Sequence, residues 1–252
     1  MATIHSSNPT LTDNAFSPLR YLGDRTNAMT IGGTVYKTIL LLLLVMMSSG
    51  FVWIKFFKSG GNPAAVTTWM YTGLIGGFIV AMVTIFKKEW VAITAPLYAV
   101  LEGLFIGAIS AIIEVSYPGI VMQAAGLTFG TLLTMLVVYQ AGWIKATENF
   151  KLGVVAATGG IALVYLVTFV LSFFGIQASF IYGNSLFSIG FSLFVVGIAA
   201  LNFIIDFDAI EKGVRQNVPK YMEWYGAFAL MVTLIWLYIE FLRLLAKLRS
   251  RD

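Results

Sequence analysis

Apolar runs of about 20 residues recur along the chain between short polar breaks, and the recurrence starts only near residue 30. A helix rises 1.5 Å per residue and the hydrocarbon core of a bilayer is about 30 Å thick, so runs of this length predict membrane-spanning helices. Seven are predicted, over residues 35–57, 66–86, 91–113, 119–143, 152–175, 184–210 and 224–247. Connections such as KKEW (87–90) and EVSYPG (114–119) are too short to hold a soluble domain, and they predict antiparallel neighbours in one bundle. The expected fold class is an all-α membrane protein, a seven-transmembrane-helix bundle over residues 31–252. Residues 1–30 are polar, lack the apolar stretch of a cleaved signal peptide, and read as a disordered tail.

Composition sharpens this picture by exclusion. Hydrophobic residues make up 59% of the 252 positions and charged ones 11%, against about a quarter charged in soluble domains. Cysteine is absent, which removes disulfides, thiolate nucleophiles and cysteine-ligated metals. The single histidine, His5, lies in the polar tail, so no histidine metal site or histidine-based triad is expected in the membrane, and no enzyme. No cofactor is called for. The net charge of +4 comes without a clustered basic run, which argues for the lipid bilayer and against nucleic acid as partner. With the N-terminus placed in the cytoplasm, ten Lys and Arg fall on that side and six on the other, a bias in the direction the positive-inside rule requires. Glycine pairs at four-residue spacing, Gly73 with Gly77, Gly103 with Gly107 and Gly126 with Gly130, predict close helix packing.

Against that background the acids stand out. Glu102 lies about eleven residues into the third span beside Gly103, where a carboxylate must be protonated, paired or facing water. Its bland alternative is a neutral side chain bonded to a carbonyl or a hydroxyl. Glu240 lies in the seventh span with Arg243 at i+3, near enough on the helix surface to act as a salt-bridge partner. Asp206 and Asp208 close the sixth span; two residues apart, they do not share a helix face, so one at most should point inward, and Asp206 is the deeper. No membrane His or Lys is expected to neutralise these acids.

The segments IIDFDAIEKG (205–213, read with its preceding Ile204), LYIEFLRLL (237–245), LEGLFIGAIS (101–110) and TIGGTVYKT (30–38), in that context of seven spans, resemble the Bax inhibitor-1 family, also called the transmembrane Bax inhibitor motif family, and most closely its bacterial branch. The resemblance covers residues 29–248. It implies a bundle whose last helix is central, wrapped by the other six, in a bacterial inner membrane. It also implies a pH-sensitive calcium leak, gated by an acid of the sixth helix paired with an acid of the seventh, here Asp206 and Glu240, with Glu102 as a reserve partner. Glu240 departs from the Asp of the family motif, and the stretch between the two acids is longer. The same resemblance implies a second reading, a non-conducting regulator of a membrane protease or other membrane partner. In the channel reading, two carboxylates at one site share a proton and seal, whereas their ionised form offers hard oxygen ligands to Ca²⁺, so that Asp206 and Glu240 would be its metal-binding residues. Whether they meet depends on where the seventh span begins. A start near Pro219 puts Glu240 roughly 31 Å along the helix and apart from Asp206, whereas a start near Ala227 puts it about 20 Å in and within reach.

The tail has too few apolar residues to offset the entropy of ordering it. Removal of residues 1 to about 28 is therefore expected to leave the thermal unfolding temperature in detergent nearly unchanged, and a large drop would show that the tail docks on the bundle.

Overall fold

The computed structural model describes residues 27–175, 181 and 183–251. Seven long helices follow one another: α1 (Ile31–Lys58), α2 (Ala64–Phe86), α3 (Val91–Ser116), α4 (Ile120–Gln140), α5 (Glu148–Ser172), α6 (Leu186–Arg215) and α7 (Met222–Arg249), with a 3₁₀ turn at Lys88–Trp90 before α3. All seven are long and apolar enough to cross a membrane, and the described residues contain no strand beyond an isolated bridge between Ala28 and Pro219. The protein is an all-α, seven-span membrane protein.

Several ends lie outside the expected bounds, and local chemistry explains why. Helix α1 starts at Ile31 because Thr30 caps it, its hydroxyl accepting from the Gly33 amide at 3.0 Å, so the two glycines that look like a loop are helical. Thr147 does the same for α5 through the Phe150 amide, extending that helix back to Glu148. Helix α6 runs five residues beyond its expected end. It closes where Asn217 takes a left-handed φ of 51°, with the Val218 amide on the Gly213 carbonyl and the Asn217 amide on that of Val214.

Residues 1–26 of the expected tail, including His5, lie outside the described residues. Its last four residues are held in place. The Met29 amide donates to the Val218 carbonyl at 2.8 Å, the Lys220 amide donates to Asn27 at 2.9 Å, and Met29 is buried. Residues 27–30, which the sequence assigns to the tail, therefore belong to the folded chain, and a truncation that also removes Asn27 and Ala28 should lower stability.

The described chain divides into two compact units. One consists of residues 27–121 and 209–232, the other of residues 122–208 and 233–251. In the first unit, glycines admit neighbouring backbone. A Cβ at Gly107 would lie 2.6 Å from the Ser49 carbonyl oxygen, and one at Gly73 would lie 2.5 Å from that of Leu101, so α3 packs against both α1 and α2 without intervening side chains. Val52, Phe56, Val66, Leu104, Ala108 and Ala111 fill the core beside these contacts. The second unit treats its glycines differently: Gly126 and Gly130 have open space where a side chain would go. That glycine pair fulfils the spacing rule but meets nothing within 4 Å among the described residues.

Burial rises steeply toward the C-terminus. In their most apolar windows α7 is 67% buried and α6 56%, against 22% for α1 and 17% for α2, α4 and α5. The last helix is thus the most buried of the seven.

Substituting Gly107 by Ala should lower stability in detergent by about 1–3 kcal/mol, the cost of forcing a methyl group into a full contact. Gly130→Ala should leave it unchanged or raise it slightly. Equal effects from the two, measured by thermal unfolding, would show that the close approach of α1 and α3 is not what those glycines provide.

Candidate functional site

Helices α6 and α7 run antiparallel, and two polar contacts fix their register. The Thr233 hydroxyl donates to Asp206 Oδ2 at 2.6 Å, and the Lys247 ammonium donates to Ser192 Oγ at 2.7 Å. From Thr233 to Lys247 is fourteen residues, as is the return from Asp206 to Ser192, so the two helices keep step. Seven residues is close to two full turns, which puts Thr233, Glu240 and Lys247 on one stripe of α7. The apolar sequence of these helices thus carries a column of polar groups.

Asp206 is fully buried. Asp208, two residues on, is partly exposed and pairs with the Lys151 ammonium of α5 at 2.7 Å, while Lys151 is itself buried and also reaches Glu148 at 3.5 Å. One aspartate points inward and its neighbour turns aside, as their spacing on the helix demands.

Glu240 is buried on the same stripe, about 10 Å beyond Thr233. Three groups meet there. Arg243 Nη1 donates to both carboxylate oxygens at 2.9 and 3.0 Å, the Tyr165 hydroxyl of α5 donates to the same two at 3.1 and 3.2 Å, and Arg243 also reaches the Tyr165 oxygen at 2.5 Å. The guanidinium carbon lies 4.8 Å from the centre of the Tyr165 ring. Glu240 therefore has a counter-charge and an aromatic hydroxyl at one level, while Asp206 holds a threonine hydroxyl at another. Between these levels, Asn202 donates from α6 to the Thr158 hydroxyl of α5 at 3.0 Å.

Of the two starts considered for the seventh span, the observed one is nearer the first. Helix α7 begins at Met222 with Met222, Glu223 and Tyr225 already buried, which places Glu240 about 27 Å along it. The register sets Glu240 level with residue 199 of α6, seven residues from Asp206.

Glu102 belongs to the other unit. It is half-buried on α3, hydrogen-bonded by Tyr98 one turn earlier, and it lies over Gly77 of α2, where a Cβ would be 2.9 Å from its Oε1. The glycine leaves room for the carboxyl between two helices.

The expectation that no membrane lysine serves these acids needs correction, since Lys151, buried in α5, pairs with Asp208 at 2.7 Å; Lys247 is likewise buried in a long apolar helix. A second omission is Glu223, which the sequence places in a connecting loop. It is fully buried at the start of α1, where its carboxylate accepts from the Thr30 amide and hydroxyl at 3.0 and 2.8 Å and pairs with Lys37. Its carboxylate fills the space beside Gly33. The sequence signal was present: an acid four residues past a proline, at the start of an apolar run, is the composition of a first helical turn.

The profile of the family described as Bax inhibitor 1 like matches residues 8–250. The chain belongs to the Bax inhibitor 1-like family. That membership agrees with the seven spans and with the motifs that suggested it. No curated protein and no solved structure matches the chain. Among the described residues, no group of three or more His, Cys, Asp or Glu is gathered closely enough to hold a metal ion.

Removing the guanidinium leaves Glu240 buried beside a tyrosine with its charge unanswered. Arg243→Met should therefore cost on the order of 3 kcal/mol, and adding Glu240→Gln should recover part of the loss because the two residues act as a unit. Thermal unfolding of the two single variants and the double variant in detergent checks this, and strict additivity would mean that the pair does not interact.

Proposed function

We propose that the chain is a pH-sensitive calcium leak channel of a bacterial inner membrane, with its N-terminus in the cytoplasm and with Asp206 and Glu240 as the residues that gate it. Family membership supports the class of protein. The observation that carries the finer reading is Asp206, a wholly buried carboxylate on the best-buried pair of helices, held by a hydroxyl at 2.6 Å. A carboxylate at such a depth requires a proton or a cation.

In the proposed cycle, protonated Asp206 is a neutral hydrogen-bonding group and the seam between α6 and α7 stays dry. The ionised form draws in water and presents an oxygen ligand of the kind Ca²⁺ prefers. Glu240, seven residues away in register, already has Arg243 as counter-charge and Tyr165 as donor. For Ca²⁺ to use Glu240, Arg243 must let go. The gate is thus two latches in series: a proton on Asp206 and a guanidinium on Glu240. Direct sharing of one proton between the two acids would need α7 to shift against α6 by about two turns, roughly 10 Å. Glu102, packed in the other unit, is assigned no step.

Calcium uptake into proteoliposomes of purified protein, measured between about pH 5 and pH 8, tests the reading. Wild-type flux should rise with pH. Asp206→Asn keeps a hydrogen-bonding group but cannot ionise, so its flux should lose that pH dependence while the fold persists. Glu240→Gln frees Arg243 and should raise flux at high pH, where Asp206 is ionised, while flux at low pH stays low. Loss of pH dependence in Glu102→Gln, with both other variants behaving as wild type, would move the gate to α3. If the wild-type protein conducts no calcium at any pH in that window, the regulator of a membrane protease becomes the better reading.

A further inference from the structure

The buried end of the α7 stripe holds a group that the proposed gate does not use. Lys247 is buried in the last turns of α7, and its ammonium donates to the Ile181 carbonyl at 2.5 Å, the Ser192 hydroxyl at 2.7 Å and the Ser188 carbonyl at 3.2 Å. An ammonium has three donors and no acceptor, so these three oxygens satisfy it fully. All three are uncharged. Ser188 and Ser192 are buried one turn apart on α6, and the Ser188 hydroxyl donates to the Ile181 carbonyl at 2.9 Å, which fixes the oxygens in place. The Ser188 amide in turn is capped by the Ser185 hydroxyl at 3.2 Å.

A buried charge is ordinarily answered by an opposite one. The acid on the same stripe is Glu240, two turns away; its charge acts on Lys247 through space, but its hydrogen bonds go to Arg243 and Tyr165. Lys247 instead has carbonyl and hydroxyl oxygens around its ammonium. Rings of such neutral oxygens replace the hydration shell of a monovalent cation in selective pores. We infer that Ile181, Ser188 and Ser192 form a binding site for a monovalent cation of the ammonium class, and that the chain occupies this site with its own Lys247 side chain as a tethered cation.

The inference stands apart from the calcium reading, because it concerns occupancy of a cage and not passage through the membrane. It assigns Lys247 a role distinct from that of a basic residue anchoring a helix end. Such an anchor works by placing charge near lipid headgroups and needs no particular set of oxygens, whereas a tethered cation leaves a vacancy of defined shape and charge when it is cut away.

Lys247→Ala removes three methylenes and the ammonium, which is the outline of n-propylammonium. The variant should unfold at a lower temperature in detergent than the wild type. Millimolar n-propylammonium chloride should raise its apparent Tm in a saturable way, by at least about 3 °C more than equal concentrations of choline chloride or propan-1-ol. Wild-type protein should show no such difference. Adding Ser192→Ala to Lys247→Ala should weaken the response several-fold. If Lys247→Ala cannot be purified in ordinary buffer, recovery of monodisperse protein when propylammonium is present throughout purification, with none recovered in choline, is the same result. Two outcomes overturn the inference. One is an equal response to propylammonium and propan-1-ol, which would mean that only volume is being restored. The other is a Lys247→Met variant as stable as wild type in every salt, which would mean that the cage has no need of a cation.

Discussion

Hydrocarbon supplies no hydrogen bonds, so each polar atom carried into a spanning helix must find its partner within the chain. Among the described residues no buried side-chain nitrogen or oxygen lacks one. Much of the structure can be read as the working out of this constraint. Isolated threonines and serines return their hydroxyls to a carbonyl one turn back, as Thr38 does to Thr34 and Thr128 to Ala124, and so need no other helix. Carboxylates and ammoniums cannot satisfy themselves in this way. Asp206, Glu240, Lys151 and Lys247 draw α5, α6 and α7 together at specific heights, which is why the register of the last two helices is so closely defined.

The two units answer the same constraint by different means. Around α1, α2 and α3 the contacts are largely van der Waals, made close by glycines that let backbone meet backbone. In lipid, where apolar side chains gain nothing by leaving the solvent, such close approach is a main source of attraction between helices. Around α5, α6 and α7, hydrogen bonds and ion pairs do more of this work, and the glycines of α4 face open space. Helix association that depends on titratable groups responds to protons and ions, whereas association through glycine does not. Glycine thus dominates the closest helix contacts of one unit and charge those of the other, with the Lys37–Glu223 pair as the exception in the first.

How much of this the sequence disclosed depends on the distance between partners. The seven spans were legible because each is a local property of about 20 consecutive residues, and the errors lie at the ends, where a cap such as Thr30 or Thr147 decides. That only one of Asp206 and Asp208 turns inward followed from helix geometry, and the choice of Asp206 from its greater depth in the apolar run. Arg243 was legible as the partner of Glu240 because the two are three residues apart. Tyr165 was not, being 75 residues from Glu240, and neither was the cage around Lys247, whose Ile181 carbonyl is 66 residues away. A periodic pattern shows which residues share a face, but not which face of which other helix it will meet. Lys247 illustrates the limit, since four residues from Arg243 near a basic terminus it has the look of a solvated flank.

Glu223 reaches across 193 positions to finish the first turn of α1. During synthesis, that first helix must leave the ribosome and enter the bilayer with the partner of its Thr30 amide not yet made. At 5–20 residues per second, the wait is about 10–40 s. For that interval Lys37, too, is without its carboxylate, in a helix that is otherwise apolar through its middle. A chain arranged in this way cannot complete its biogenesis helix by helix. The first helix keeps an unpaired Lys37 until the start of the last one is made, and a product truncated before α7 would never acquire its carboxylate.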